Sequence, residues 1–293
     1  MPQVVADGGI MASQEIRVFK RSGDYEPFSE EKVRSSLGRA GADAELADTI
    51  VNRVKTRLYD GISTREIYAH VFALLRELES PVVSRYNLKR AIMELGPSGF
   101  PFERFMAGIL EARGYTVAVG QIVQGKCVDH EIDIIAQKDH RDYMIEAKFH
   151  NQPGLRSDIK DALYTYARFL DVEQAWVEIA GHRDHFHQAW LVTNTKVTSK
   201  VREYASCVGM RVTSWDYPAA EGLRVLVEES GLLPVTCLQS LSQEDKRKLL
   251  SEGLVFCWQL LEGDLDSLAR EDAKEARREA LEACRGKIPP QPA

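Results

Sequence analysis

HEIDIIAQKDHRDYMIEAKFHN, residues His130–Asn151, contains two apolar segments separated by a polar turn. Charged and apolar residues alternate from Glu131 to Ile135, which is the period of a half-buried strand. A second strand is predicted over Tyr143–Phe149. The polar segment Gln137–Asp142 between the two strands favours an antiparallel hairpin.

The charged residues of this hairpin are predicted to converge. Glu131 and Asp133 share a face of the first strand, because side chains two residues apart point the same way. Glu146 and Lys148 share a face of the second strand for the same reason. An acid-x-lysine pattern is common on solvated strands, but here the charges lie within apolar strands, where isolated charges are costly. The hairpin can therefore bring Asp133, Glu146 and Lys148 together at one edge, where two carboxylates and a lysine can hold a divalent cation and a polarised water.

Composition limits the function classes. The chain has 293 residues, enough for two domains, and its net charge of −6 does not indicate a nucleic-acid binder, although a local basic surface is compatible with that sum. No apolar run approaches the roughly 18 residues of a membrane span, and no signal peptide is recognisable. The five cysteines are scattered without a CxxC pair, which argues against a structural zinc site. Free thiols and the missing export signal predict a cytoplasmic protein.

The N-terminal part predicts a small, mostly helical domain at residues 15–97, preceded by a disordered leader at residues 1–14. Ser29 is a good N-cap for the first helix, and apolar residues at intervals of four make the second helix amphipathic. Glycine and proline at Gly96–Phe100 mark the expected domain boundary. The predicted helices are Glu30–Ala40, Ala44–Tyr59, Arg65–Glu79 and Pro81–Leu95.

Three stretches of this part resemble the ATP-cone, the nucleotide-sensing domain at the N-terminus of ribonucleotide reductases. They are VFKRSGDYEPFSEEKV from Val18, YDGISTREIY from Tyr59 and SRYNLKRAI from Ser84. The resemblance implies that ATP or dATP binds as an effector. Clustered lysine and arginine suit phosphates on chemical grounds as well. The residues that the resemblance assigns to the nucleotide site are Val18, Lys20, Arg21, Glu26, Lys32 and Thr64.

The segment 101–216 predicts an α/β sandwich in the order helix, three strands, helix, strand, helix, strand. The first helix is predicted over Phe102–Gly114. A later helix over Asp158–Leu170 carries an apolar stripe of Leu163, Tyr164, Ala167 and Leu170, and Val172–Gly181 is predicted to be helical too. The histidines of the loop His182–His187 are better explained by solvent or DNA phosphate than by a transition metal.

Residues 217–293 predict a helical C-terminal region with a disordered, proline-rich tail. A helix is expected over Gln243–Ser251 with a capping-box-like start. A second helix over Leu254–Leu261 would complete a pair similar to a helix-hairpin-helix, and a helical cap or a dimerisation element explains this pair equally well.

The sandwich segment resembles the Mrr-like branch of the PD-(D/E)xK nuclease superfamily. The resemblance lies in FERFMAGILEARGYTV, HEIDIIA, MIEAKFHN and WLVTNTKVTSKVREYA. It implies that Asp133 and Glu146 bind Mg²⁺ or Mn²⁺, that Lys148 orients the attacking water, and that Glu103 completes the acidic shell. Ile132 stands where these nucleases often have proline, so Glu131 and Asp133 both remain candidates for the main ligand.

Together these features predict an α+β, α/β multidomain protein: a small helical ATP-cone, a restriction-endonuclease-like sandwich and a helical C-terminal region. The predicted function is a Mg²⁺-dependent DNA endonuclease regulated by ATP or dATP, acting in restriction, defence or DNA repair. Its expected partners are double-stranded DNA, an adenine nucleotide and further copies of the chain. Lys126, Arg156 and Lys160 are candidate phosphate contacts. The alternative is a nucleotide-responsive DNA-binding regulator that does not cleave.

Overall fold

The computed structural model describes residues 16–20, 23–78, 82–178 and 186–284. The chain divides into two units, Met1–Tyr86 and Asn87–Ala293. The predicted leader, Arg21, the loop histidines His182 and His185 and the proline-rich tail all lie outside the described residues.

In the part of the first unit that the structure describes, a three-stranded sheet is combined with four helices. Its elements are β1 (Arg17–Phe19), β2 (Tyr25–Pro27), α1 (Glu30–Arg39), α2 (Ala44–Lys55), β3 (Ile62–Ser63), α3 (Thr64–Glu77) and α4 (Val82–Tyr86). Strand β1 lies in the centre, antiparallel to β2 and parallel to β3. Parallel strands end on the same side of a sheet. Lys20, which follows β1, and Thr64, which follows β3 and begins α3, therefore lie at one edge of the sheet.

Local sequence signals explain how these helices begin. The Ser29 side chain accepts a hydrogen bond from the Lys32 backbone, and Ser63 and Glu66 form a reciprocal capping box at α3. The predicted helix starts are therefore confirmed for α1 and α3. The single helix predicted over Pro81–Leu95 is wrong, because the chain forms two short helices separated by Asn87.

The second unit is built on a five-stranded sheet of order β10-β8-β6-β5-β4. Its strands are β4 (Thr116–Gln124), β5 (Asp129–Lys138), β6 (Arg141–Lys148), β7 (Arg156–Ser157), β8 (Phe186–Thr193), β9 (Lys196–Val197) and β10 (Arg211–Thr213), and β7 and β9 pair separately. Its helices are α5 (Leu88–Met93), α6 (Phe100–Ala112), α7 (Ile159–Glu178), α8 (Ser199–Val208), α9 (Leu223–Ser230), α10 (Gln243–Ser251), α11 (Gln259–Glu262) and α12 (Arg270–Cys284).

Helices cover both faces of this sheet. Phe102 and Phe105 of α6 pack with Trp190 on one face, whereas Phe169 of α7 and Val201 of α8 pack on the other. Helices α5 and α9 and the C-terminal helices extend the core of the first face. The predicted α/β sandwich with a helical C-terminal region is confirmed.

The central hairpin is confirmed, with a tighter turn than predicted. Lys138 and Arg141 are paired, so the loop contains only Asp139 and His140. Both loop residues have positive φ angles, 52° and 58°, as a type I′ turn requires. Strands β4, β5 and β6 form an antiparallel meander, and β6, β8 and β10 run parallel.

The helical character predicted for Asp158–Leu170 and Val172–Gly181 is confirmed over the described residues 159–178, but these residues form one continuous helix, α7. The helix Gln243–Ser251 is confirmed, but its expected partner over Leu254–Leu261 is reduced to the four-residue α11, because Phe256 instead forms a β-bridge with Pro234. Among the described residues, no helix combines the length and apolar character that a membrane crossing requires.

Candidate active site

The centre of the site is a gap between β5 and β6. Their pairing runs from the turn to Ile134 and Ile145 and ends there. The next residue of β5, Asp133, uses its carboxylate to accept a hydrogen bond from the Ala147 backbone N–H at 2.7 Å. On the other side of β5, the pairing with β4 omits Gly120, which has a φ of +63°. The strands therefore separate at Asp133, and its carboxylate occupies the gap.

Glu146 lies beside this gap and is paired with an arginine. Arg168 on α7 donates to the Glu146 carboxylate, and their side chains are only 10% and 17% exposed. The guanidinium carbon of Arg168 also lies 5.1 Å from the centre of the Tyr164 ring. Arg168 was not predicted. The signal that could have found it is an arginine four residues after an aromatic on the helix that follows the hairpin.

Lys148, at the end of β6, is 44% exposed, and its Nζ lies 3.4 Å from the Asp161 carboxylate of α7. Its positive charge lowers the pKa of both Asp133 and Glu146, although other effects outweigh it. The structure therefore brings Asp133, Glu146 and Lys148 together, as the hairpin predicted.

Glu103 in the first turn of α6 joins the same cluster. Burial, followed by the negative charges of Asp133, Glu131 and Glu146, raises the pKa of Glu103 to about 7. Glu131 is exposed, and it acts on the other acids through its charge.

The cluster carries more negative charge than its two cations neutralise. Burial and the Asp133 charge raise the pKa of Glu146 to about 7, even though Arg168 pulls it down. Burial also raises the pKa of Asp133 against the opposing hydrogen bond from Ala147. Because raised carboxyl pKa values signal unfavourable ionisation, an added cation would relieve this cluster.

The donor set fits a hard divalent cation of the magnesium type. Within the described residues, no group of three or more His, Cys, Asp and Glu side chains is arranged to hold a metal ion by itself. Mg²⁺, however, is commonly bound through one or two carboxylates, with waters and substrate phosphate oxygens completing its shell. Asp133 and Glu146 can supply those two carboxylates. Glu146 would have to loosen its ion pair with Arg168 to do so.

Three of the six predicted nucleotide residues, Lys20, Glu26 and Lys32, lie together in the first unit. Lys20 forms an ion pair with Glu26, and the Nζ of Lys32 lies 2.9 Å from the same carboxylate. Hydrogen bonds from these two lysines lower the pKa of Glu26.

The remaining nucleotide residues differ in their placement. Val18 is buried in β1 and is paired with Glu26, so its side chain belongs to the core. Thr64 is exposed at the start of α3, and Arg21 lies outside the described residues. Clustered ammonium groups such as those of Lys20 and Lys32 suit a phosphate ligand on chemical grounds.

Comparison with known families gives three matches in chain order. Residues 16–92 match the ATP cone domain, residues 96–219 match a restriction endonuclease domain, and residues 233–277 match the family described as AF1548-like, C-terminal. The two resemblances inferred from the sequence motifs are therefore confirmed.

Two relatives are similar over the greater part of this chain. An uncharacterized protein of Archaeoglobus fulgidus is 44% identical over 181 residues, which cover 61% of this chain and 97% of that protein. A crystal structure described as a protein of unknown function, AF1548, is 40% identical with a TM-score of 0.55, and the match covers 64% of this chain and all of that structure.

Proposed function

The chain belongs to the same family as the uncharacterized Archaeoglobus fulgidus protein, and from this premise we propose that it is a metal-dependent endodeoxyribonuclease. In this chain an ATP-cone domain precedes the restriction endonuclease domain. The observation that carries the proposal is the gap between β5 and β6. Asp133, Glu146 and Lys148 meet there, and Glu103 adds a further acid from α6. The substrate is double-stranded DNA.

The residues of the cluster divide the work of phosphodiester hydrolysis. Asp133 and Glu146 would hold Mg²⁺ or Mn²⁺. A bound cation of this kind supplies charge stabilisation at the phosphate and lowers the pKa of a coordinated water. Lys148 orients the attacking water, since its ammonium is exposed beside the acids. Glu103 has a pKa of about 7, so its carboxylate can accept or hold a proton near neutral pH.

We further propose that ATP or dATP binds the first unit and regulates cleavage. The supporting observation is the pair Lys20 and Lys32, which converge on one carboxylate that a polyphosphate can displace. ATP-cone domains of reductases act by changing subunit association, so the regulated species here is a homo-oligomer. The role is restriction, defence or DNA repair. The five free cysteines of the described chain are consistent with a cytoplasmic location.

The direct test is cleavage of supercoiled plasmid with Mg²⁺, Mn²⁺ or EDTA, with and without ATP or dATP. Wild-type protein should nick or linearise DNA only with the cation. Asp133→Asn and Glu146→Gln should each reduce the rate by at least about 100-fold, because each removes a ligand charge while keeping the side-chain shape.

Glu131→Gln is the matched control, since Glu131 is an exposed acid on the same strand as Asp133. It should retain most of the activity. Loss of activity in Glu131→Gln together with full activity in Asp133→Asn would transfer the ligand role to Glu131. Full activity in both Asp133→Asn and Glu146→Gln would contradict the assignment of the site.

A second candidate function is nucleotide-responsive DNA binding without cleavage. The Arg168–Glu146 ion pair favours it, because a buried arginine already neutralises one of the two ligand carboxylates. DNA affinity that responds to ATP or dATP, in a protein that leaves plasmid intact with every divalent cation tried, would support this candidate over the nuclease.

A further inference from the structure

A two-stranded ribbon beside the site displays four basic residues in a repeated arrangement. Strands β7 and β9 are parallel, and Arg156 is paired with Lys196. A helix begins three residues after each of these paired residues, α7 at Ile159 and α8 at Ser199. Lys160 and Lys200 therefore hold equivalent positions, four residues after the paired residues. All four basic residues are exposed. We call Arg156, Lys160, Lys196 and Lys200 the basic ridge.

The ridge is tied to the end of β6, where Lys148 lies. The His150 backbone N–H donates to the Asn194 side chain at 2.9 Å, and Asn194 donates back to the His150 carbonyl at 2.8 Å. The His150 ring also lies 3.0 Å from the Ser157 hydroxyl of β7. These contacts fix the chain between Lys148 and the ribbon, so the ridge is held beside the acidic cluster.

Helix α7 connects the ridge to the acids. Lys160, Tyr164 and Arg168 recur at intervals of four and lie along one side of the helix. Arg168 contacts Glu146 at the inner end, and Lys160 belongs to the ridge at the outer end. Tyr164 between them is 59% exposed, and the neighbouring Leu163 is 45% exposed. An exposed tyrosine between cations offers a flat apolar surface for a nucleotide sugar or base.

Nearby acids are engaged with local partners. Asp158 accepts a hydrogen bond from the Lys160 backbone at 2.8 Å, and Asp161 accepts one from the Asp158 backbone and also contacts Lys148. Asp216 forms an ion pair of 2.9 Å with Lys196. An exposed pair of this kind is worth at most about 1 kcal/mol, so a phosphate can compete for Lys196.

We propose that the basic ridge binds the sugar–phosphate backbone of double-stranded DNA and that Tyr164 packs against the strand that enters the acidic cluster. This inference rests on the proposed nuclease function. Paired residues on neighbouring strands lie about 4.8 Å apart, so Arg156 and Lys196 can reach adjacent phosphates. Lys126 is not part of the ridge, because its backbone contacts Asp171, about 16 Å further along α7 than Lys160.

The test measures DNA affinity separately from cleavage. Fluorescence anisotropy with a labelled duplex in EDTA, from about 50 to 200 mM salt, gives both the affinity and its salt dependence. The variant replaces all four ridge residues with glutamine. Each lost phosphate contact should lower the slope of log K against log salt by about 0.9, so the slope should fall by about 3 to 4. Affinity at the lowest salt should fall at least about 30-fold.

The matched control replaces four exposed cations on α10 and α12 with glutamine: Arg247, Lys248, Lys274 and Arg278. It changes the net charge by the same amount and should keep affinity within about threefold of wild type. Equal losses in the ridge and control variants would overturn the proposal, because a general charge effect would then explain both.

Smaller variants guard against misfolding. The pairs Arg156→Gln/Lys160→Gln and Lys196→Gln/Lys200→Gln should each lower the salt slope by about 1.8, half of the decrease expected for the four-residue variant. Tyr164→Ala should weaken binding several-fold, whereas Tyr164→Phe should not. A wild-type protein that binds no DNA would overturn the proposed function itself. A ridge variant that binds and cuts like wild type would overturn only the ridge. Tighter binding to an RNA duplex than to DNA would contradict the assigned partner.

Discussion

Glu103→Gln should make the protein more stable at alkaline pH, although it alters a residue of the proposed site. Burial and three neighbouring carboxylates all raise the pKa of Glu103 from 4.5 to about 7. A raised pKa means that the folded state favours the protonated carboxyl. The stability that this preference contributes is complete below about pH 4.5 and is lost as the pH rises through about 7. Glutamine keeps the shape and cannot ionise, so the variant avoids that loss.

The magnitude follows from the shift of the pKa. For a carboxyl whose pKa changes from 4.5 to about 7 on folding, ionisation lowers the free energy of unfolding by about 2.5 kcal/mol between pH 5 and pH 8.5. Glu103 is only half-buried, so solvent screening reduces this by about half. The variant should therefore gain about 1 kcal/mol in the free energy of unfolding relative to wild type over that range.

Urea unfolding of wild type and variant in EDTA at pH 5, 6, 7 and 8.5 measures this difference. Glu111→Gln is the control, because Glu111 lies on the same helix and burial alone raises its pKa. The gain in the free energy of unfolding of Glu111→Gln should be smaller, and it should be the same when Mg²⁺ replaces EDTA in the buffer. Mg²⁺ should shrink the gain of Glu103→Gln, since a cation neutralises the neighbouring acids. A stability difference between Glu103→Gln and wild type that stays constant from pH 5 to 8.5 would refute the reasoning.

Three further outcomes are expected. Lys20→Ala should weaken ATP or dATP binding by about tenfold in calorimetry and leave basal cleavage unchanged, and unaltered binding would remove this lysine from the nucleotide site. Arg168→Met should destabilise the protein by about 3 kcal/mol at pH 8, because it leaves buried carboxylates without their cation. The loss of stability should be smaller at pH 6, and an equal loss at both pH values would indicate a packing effect instead. Gly108→Ala should lower the free energy of unfolding despite the helix propensity of alanine, because the added Cβ would lie 2.5 Å from the Phe256 ring. In Gly38→Ala the added Cβ meets nothing within 4 Å, so this variant should gain up to about 1 kcal/mol in the free energy of unfolding. Thermal unfolding of both glycine variants checks this contrast.

The sequence predicted the hairpin because alternation and a short polar turn are local signals. Glu131 to Ile135 alternates as a strand does, and the turn residues tolerate positive φ angles. The separation of β5 from β6 at Asp133 is not local. It depends on a side chain taking the place of a backbone partner at Ala147 and on the conformation of Gly120 in a third strand.

The apolar stripe of α7 shows a second limit of sequence reasoning. Leu163 and Tyr164 were predicted to face the core, but both are exposed. The buried side instead contains Ala162, Thr165 and Phe169. Both sets recur every three to four residues, but at about 100° per residue their centres lie about 160° apart, on nearly opposite sides of the helix. The small Ala162 and the polar Thr165 give little hydrophobic signal, so the larger exposed residues dominated the prediction.

The junction between the units offers a final test of nucleotide regulation. The ATP cone match extends to residue 92, whereas the first unit ends at Tyr86. Helix α5 therefore belongs to the ATP-cone sequence but packs in the core of the second unit, through Leu88 and Ile92. One residue, Asn87, joins it to α4. If nucleotide binding regulates the second unit as proposed, this short covalent link is the route by which a change in the first unit would reach that core.

Inserting a flexible Gly-Ser segment between Tyr86 and Asn87 should separate binding from response. Both units should keep their folds and the first should still bind nucleotide, but the effect of ATP or dATP on cleavage should disappear, because coupling requires that each nucleotide state favour a different arrangement of the second unit. The control carries the same insertion between Gly263 and Asp264, in a partly exposed turn, and should respond as wild type does. Calorimetry measures binding and plasmid cleavage measures the response. An inserted junction that retains the full nucleotide response would show that regulation does not pass through α5.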